Sequence, residues 1–445
     1  MKYLYILLLF CLVTAQDRTA YQVDGNVFFE DGESHGGVQI SFYDLLQDPP
    51  QLTDSTFSDD SGYYEIDLES GYYLVEWSNA GYVPWELGGF AHGSDVTLDD
   101  VTLVPGEVIT VSGEQSGNWT TSYQYWVQDT VTVPEGDTLT IDAGVRVKFL
   151  AGAGMVCYGT LQANGTEDEH VLFTSKHPTP LPGDWDNIEL YGENNIISYV
   201  DYEYADDGFT GDGASGSTFD NLTMVGTLSL TANGIYLTNS SNMSFTNNHI
   251  SVAGEYGIFS ENSPNSVVNN NEINGSYSTA AIRMQDCDNC VFDGNTITNR
   301  PYRGIWTDYS ENTSISNNNI EASYNAIEAG NGSYNTFDGN TITDFDENGI
   351  YFHASSNCTV SNNSLDDNDT GCYKYGIHNT NGSNNLVDGN YVNIYNYCNN
   401  DEIFGIHVYY SEITNNEVYL NQAANYENQV FGIYCNYSII VDNYV

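Results

Sequence analysis

The chain has 445 residues, with 61 Asp or Glu against only 9 Lys or Arg, and a formal net charge of −52. Its 36 Tyr, 18 Phe and 6 Trp are too many for an acidic disordered tail. Nine basic groups cannot build a phosphate-neutralising stripe, so nucleic acid and anionic lipid are excluded as direct partners, and cations, neutral glycans or other proteins remain.

Residues 1–15 read as a signal peptide. Met1-Lys2 is a short positive end, Tyr3 to Leu12 is an apolar run too short to span a bilayer, and Val13-Thr14-Ala15 supplies small residues for cleavage. Phe10 stands where a lipid-attachment Cys11 would need a small residue. No later stretch is apolar enough to span, so a secreted or cell-surface protein without a transmembrane span is expected. Losing Lys2 and Cys11 leaves a charge of −53 and seven cysteines. Six of these (Cys287, Cys290, Cys358, Cys372, Cys398 and Cys435) lie toward the C-terminus. Cys287-Asp-Asn-Cys290 lacks the second cysteine or histidine pair of a zinc site and the βαβ setting of a redox motif. It reads as a local disulfide or as free thiols.

Residues 16–105 alternate at the strand period, as in Val38-Gln39-Ile40-Ser41-Phe42 and Tyr63-Tyr64-Glu65-Ile66-Asp67-Leu68, between Gly/Asp turns. The order Asp24-Gly25-Asn26-Val27, Gly37-Val38-Gln39-Ile40, Asp59-Asp60-Ser61-Gly62-Tyr63-Tyr64, Gly71-Tyr72-Tyr73 and Gly81-Tyr82 resembles the carboxypeptidase-regulatory-like domain. That is a transthyretin-like β-sandwich of exported proteins, and the resemblance implies an accessory module. Asp54, Asp59 and Asp60 are weak Ca²⁺ candidates, the alternative being acidic turn residues that satisfy backbone donors.

From 106 to 445 short strands continue with no helical period. A small residue followed by Ile recurs from Gly234-Ile235 to Gly432-Ile433 at spacings of 23, 24, 23, 22, 23, 27, 29 and 27 residues. About one strand-and-turn later comes an aliphatic column, and two residues before each of its members stands Asn: Asn248, Asn271, Asn295, Asn318, Asn340, Asn363, Asn390, Asn416 and Asn443. Each of these Asn follows Asn, Gly or Asp, the set that tolerates a left-handed bend. One such period is one coil of a solenoid, whose apolar columns stack about 4.8 Å apart. The expected fold is all-β: an N-terminal β-sandwich, then a right-handed parallel β-helix with a structural Asn ladder. The repeats resemble those of pectin-lyase-like and NosD-like proteins. The last residues, Ile440 to Val445, begin another coil without a cap, so a solenoid truncated at Val445 is expected.

If each Ile points inward, the next residue points outward. That column contains Tyr236, Phe259, Trp306, Tyr351, His378 and His407, a candidate strip for a carbohydrate polymer, against the reading that aromatic ladders simply stabilise the sheet. Arg283, Asp308, Glu328, Tyr351, His353 and His378 are the residue types that proton abstraction from a sugar would need. The galacturonan hydrolases' Asn-Thr-Asp, Gly-His-Gly and Arg-Ile-Lys motifs, and the alginate epimerases' Asp-Pro-His-Glu, do not occur. The resemblance therefore implies an exported, non-catalytic protein for adhesion, display or contact with a glycan or a cell-surface protein. The alternatives are a polysaccharide lyase or C5-epimerase, and a NosD-like metal-handling accessory protein with His353, His378 and His407 on one face. No cofactor is expected beyond Ca²⁺ at the acidic turn candidates.

Overall fold

The computed structural model describes residues 19–445 except 31, 33, 48, 227–231, 253, 276, 300, 322–323, 368–373, 397–401 and 423–428. Residues 1–15, read above as a signal peptide, and Cys372 and Cys398 lie outside the described residues. Among those described, every named element is a strand, and no helix is long and apolar enough to cross a membrane. Two compact units divide the chain. One holds residues up to Ile109 with Ser122–Gln124 and His177–Pro180, and the other holds the rest to Val445.

The first unit contains strands β1 (Ala20–Phe29), β2 (Gln39–Asp44), β3 (Gln51–Phe57), β4 (Tyr63–Glu69), β5 (Gly71–Ser78), β6 (Trp85–His92), β7 (Val96–Thr97) and β8 (Val101–Leu103). One sheet runs β4-β1-β7 with β8 also on β1, and the other runs β3-β2-β5-β6. Strand alternation sends Val23, Val27, Tyr64 and Leu68 of the first sheet against Ile40, Phe42, Val75 and Trp77 of the second, giving one shared core. This is a β-sandwich.

The second unit is a right-handed parallel β-helix, in which each strand pairs in parallel with its counterpart one coil later. Coils 1 to 9 are counted by their inward isoleucines: Ile235, Ile258, Ile282, Ile305, Ile327, Ile350, Ile377, Ile406 and Ile433. A second ladder runs Ile250, Ile273, Ile297, Ile320, Ile342, Leu365, Val392 and Val418. A third, with Phe245, Phe292 and Phe337 among its members, completes a continuous core. The small residue before each Ile has a steric cause. A methyl on Gly349 would meet Leu365 Cδ2 at 2.4 Å and the Gly376 carbonyl oxygen at 2.8 Å, and one on Gly405 would meet Val418 Cγ1 at 2.3 Å.

At the corner, the residue before each ladder asparagine is left-handed in all nine coils, from Asn247 (φ 55°) through Gly294 (φ 67°) to Asp442 (φ 53°). That bend turns the asparagine inward. Asn318 then donates through Nδ2 to Asn340 Oδ1 and to the Phe292 carbonyl, while its Oδ1 accepts from the backbone and side-chain amides of Asn295. The same coil-to-coil amide bonds run from Asn248 to Asn443.

Candidate functional site

The strands from Asn233–Thr238 to Gln429–Asn436 form one outward sheet face across the nine coils. The residues that follow the isoleucines make an in-register column: Tyr236, Phe259, Arg283, Trp306, Glu328, Tyr351, His378, His407 and Tyr434. Beside it run Thr238, Glu261, Gln285, Asp308, Gly330, His353 and Thr380. A third column lies two residues before the isoleucines and includes Tyr256, Arg303, Asn325, Asn348, Tyr375, Phe404 and Phe431. Simple in-out alternation does not reveal it. The small residue and the isoleucine after it are both buried, and the ladder pairing skips the former, so the alternation is broken between the two columns.

Parallel stacking decides what the face presents. Rings one coil apart lie face to face: Tyr236 on Phe259 at 4.3 Å, Tyr375 on Phe404 and Phe404 on Phe431 at 4.9 Å, and His378 on His407 at 5.0 Å. Ring faces are spent on neighbours, and ring edges, hydroxyls and imidazole nitrogens are what reach outward. Phe259 is buried. It is 4 % exposed and packs with Tyr256 and Ala280, so the expectation that it lines an open strip is corrected.

Trp306 is also occupied, by two cations. The Arg283 guanidinium lies 3.9 Å from its ring centroid and that of Arg303 lies 4.3 Å away. Two guanidiniums over this ring already take up its π surface, so it is not the open platform for a sugar that the strip reading needs. Arg283 donates to the Tyr256 hydroxyl and to Gln285, and its buried Nε has no partner.

Glu328 faces away from the core but is buried at 7 % exposure, a second correction to an outward, reactive reading. Its Oε2 accepts from Arg303 Nε at 2.5 Å and from Asn325 Nδ2 at 2.7 Å. His378 lies between Tyr375 at 4.1 Å and Tyr351 at 5.0 Å, with Nδ1 at 3.0 Å from Asn348 Oδ1. Burial, then the neighbouring His407, pushes its pKa down to about 3. Burial lowers His407 as well. Both rings are neutral at ordinary pH.

Asp308 and His353 flank Gly330, which intervenes in their column. A methyl on Gly330 would lie 2.4 Å from His353 Nε2 and 2.8 Å from Asp308 Oδ1. The missing side chain thus leaves a notch into which both groups lean. Asp308 Oδ1 also accepts from Asn331 Nδ2 at 2.8 Å. The six catalytic candidates therefore occupy coils 3 to 7 of one face, with stacked aromatics on either side.

The remaining candidates lie elsewhere. Asp59 Oδ1 accepts from the Ser61 amide, the Ser61 hydroxyl and the Tyr63 amide, and these bonds, the Ser61 hydroxyl first, hold its carboxyl below the usual range. Asp54 accepts from the Ser55 amide, and Asp60 lies 3.5 Å from the Ser34 hydroxyl. Among the described residues no group of three or more His, Cys, Asp or Glu is placed to hold a metal ion. Cys287 and Cys290 form a disulfide. Burial raises the free Cys358 thiol to about 11, which makes it unreactive.

The family described as periplasmic copper-binding protein (NosD) matches residues 190–365, and the pectate-lyase-like β-helix domain matches residues 113–214. The chain thus carries pectin-lyase-like and NosD-like β-helix repeats. No curated protein matches it. Among solved structures, a type II cohesin–X-dockerin complex of Acetivibrio cellulolyticus is 19 % identical over 19 % of this chain and 58 % of that chain, with a TM-score of 0.17. The chain therefore spans little more than half of that relative. A double mutant of the periplasmic alginate epimerase AlgG is 13 % identical over 69 % of this chain and 77 % of its own, with a TM-score of 0.42. The catalytic domain of a GH87 α-1,3-glucanase is 13 % identical over 96 % and 86 %, with a TM-score of 0.37.

Proposed function

We propose that the chain is an exported, non-catalytic β-helix protein that contacts a carbohydrate polymer along the outward face of coils 1 to 9. The observation that carries this reading is the composition of the face: a hydrogen-bonding centre of Arg, Glu, Asn, Asp and His flanked by stacked aromatics. Coils rise by about 4.8 Å, so positions two coils apart are about 10 Å apart, close to a disaccharide repeat. Hydroxyls and imidazole nitrogens at ring edges suit a neutral sugar, which a strongly acidic chain does not repel. Two features speak for binding over turnover. Glu328 is already held by a guanidinium and an amide. His378, with its pKa near 3, has too little proton affinity to act as a base at neutral pH.

A second reading, a lyase or epimerase, is favoured by one feature, the convergence of Asp308 and His353 on the space above Gly330. A glycan array combined with an activity screen on alginate, pectate and neutral polysaccharides separates the two. Binding without product supports the proposal. Unsaturated or epimerised product that disappears in Asp308→Asn and His353→Gln overturns it.

A further inference from the structure

A chain of side-chain hydrogen bonds crosses the face from coil 4 to coil 7, and its direction is fixed from one end. Glu328 Oε2 takes the Arg303 Nε–H in an ion pair, and a carboxylate so engaged accepts. Asn325 must therefore turn its Nδ2 to Glu328, at 2.7 Å, which leaves its Oδ1 as an acceptor. Asn348 fills that acceptor with its own Nδ2 at 2.8 Å, so its Oδ1 faces His378 Nδ1 at 3.0 Å. An oxygen there requires a donor, so the hydrogen of the neutral imidazole sits on Nδ1. The Nε2 lone pair is then the ring's open acceptor. Glu328, Asn325 and Asn348 are all buried, so water does not compete for these bonds.

We propose that this relay locks His378 as the Nδ1–H tautomer, so that Nε2 is a fixed acceptor for one hydroxyl group of a neutral sugar bound across coils 6 to 8. The inference rests on the carbohydrate reading above and adds the atom and the polarity of the contact. Stacking on Tyr375 and His407 holds the ring plane, and the relay sets which nitrogen carries the proton. Glu328 is a positioning residue, acting on the ligand only through Asn325, Asn348 and His378. An acceptor selects a ligand that offers a hydroxyl donor at this position and rejects its deoxy or O-methyl analogue, because the lone pair would be buried without a partner.

The lock is read without any ligand. Nitrogen-15 histidine labelling of the full chain, with long-range proton correlation and assignment by His378→Phe, reports which ring nitrogen is protonated. Wild type is expected to show the Nδ1–H form only, and Glu328→Gln, whose amide can donate or accept, a mixture of both forms. An Nε2–H wild type overturns the proposal even if the variant fails to fold. The ligand half is tested with cellohexaose, xylohexaose, mannohexaose and laminarihexaose. His378→Phe keeps the stack and should weaken whichever of these binds by about three- to ten-fold, the loss of one neutral hydrogen bond. Undiminished binding by His378→Phe overturns this inference while leaving the carbohydrate reading intact. Binding of none of the four by wild type overturns the ligand half, whatever the tautomer, and a blank glycan array besides overturns the carbohydrate reading itself.

Discussion

A single asparagine in the corner ladder makes four hydrogen bonds at almost complete burial. Replacing Asn318 by Leu keeps the branched outline but leaves the Asn295 backbone N–H without its acceptor, and takes one partner each from the Phe292 carbonyl, Asn340 Oδ1 and Asn295 Nδ2, the last two keeping the Asn318 N–H and the Val268 carbonyl. At about 1–3 kcal/mol for a buried group left unsatisfied, the variant should lose about that much, measurable by urea denaturation. Carboxylates carry a second residue-scale effect. Asp388 is held below the ordinary range first by the Thr414 hydroxyl and then by the Asn415 amide, and Asp212 likewise by Thr238 and Asn239. Their folded pKa lies below the unfolded one. The stability they add is therefore present above the unfolded carboxylate pKa, about 4, and is lost as pH falls through the folded value. Urea melts in high salt should weaken below about pH 4, and Asp388→Asn should flatten that limb. The ladder was legible because a left-handed bend restricts the residue before it to a few types, coil after coil. The relay was not, since Asn325, Asn348 and His378 belong to different coils and nothing in their local sequence announces a shared bond.

Coils come in pairs at the corner. From Asp293 onward the residue two before the ladder asparagine alternates Asp293, Ser316, Asp338, Ser361, Asp388 and Thr414, and the bend residue alternates Gly and Asn in step. The structure supplies the reason. Each Asp accepts from the hydroxyl and the bend amide of the following coil, as Asp293 does from Ser316 and Asn317, and Asp338 from Ser361 and Asn362. The bend asparagine then occupies space over the next coil, whose bend residue must lack a side chain. A methyl on Gly339 would lie 2.9 Å from Asn317 Oδ1, at a φ of +66°. Gly339→Ala should therefore cost about 1–2 kcal/mol from the left-handed backbone alone and more from the contact, with Asn317→Ser relieving only the contact part in a double-mutant cycle. The period and the inward ladders could be read from the sequence, because apolar burial repeats once per coil. The third outward column could not, because Gly304, Ala326 and Gly349 are buried next to a buried isoleucine, which breaks the strand alternation on which such a reading depends.

For the molecule as a whole, charge is the strongest influence that no single contact displays. The mature chain would carry 61 acidic residues and only 8 basic ones once a leader with Lys2 is removed. Of the described cations, Arg283 and Arg303 cluster on coils 3 and 4, and the Lys374–Asp367 ion pair is buried, so little positive charge is left to offset the acidic surface. Folding brings these carboxylates closer together than the unfolded chain does, and their mutual repulsion acts over the Debye length, about 30 Å at 10 mM salt and about 3 Å at 1 M. Raising NaCl from about 10 mM to 1 M at pH 7 should therefore raise the melting temperature by several degrees. Acid at low salt pits two effects against each other: protonation relieves repulsion while it removes the bonds to Asp212 and Asp388. Salt decides between them, because screening abolishes the first effect and leaves short hydrogen bonds nearly untouched. The acid limb should thus be steeper at 1 M than at 10 mM NaCl, opposite to the ordinary expectation that salt blunts pH effects. Melts that are identical at both salt concentrations across pH 3–7 would show that the acidic surface is spaced widely enough for its repulsion to be negligible.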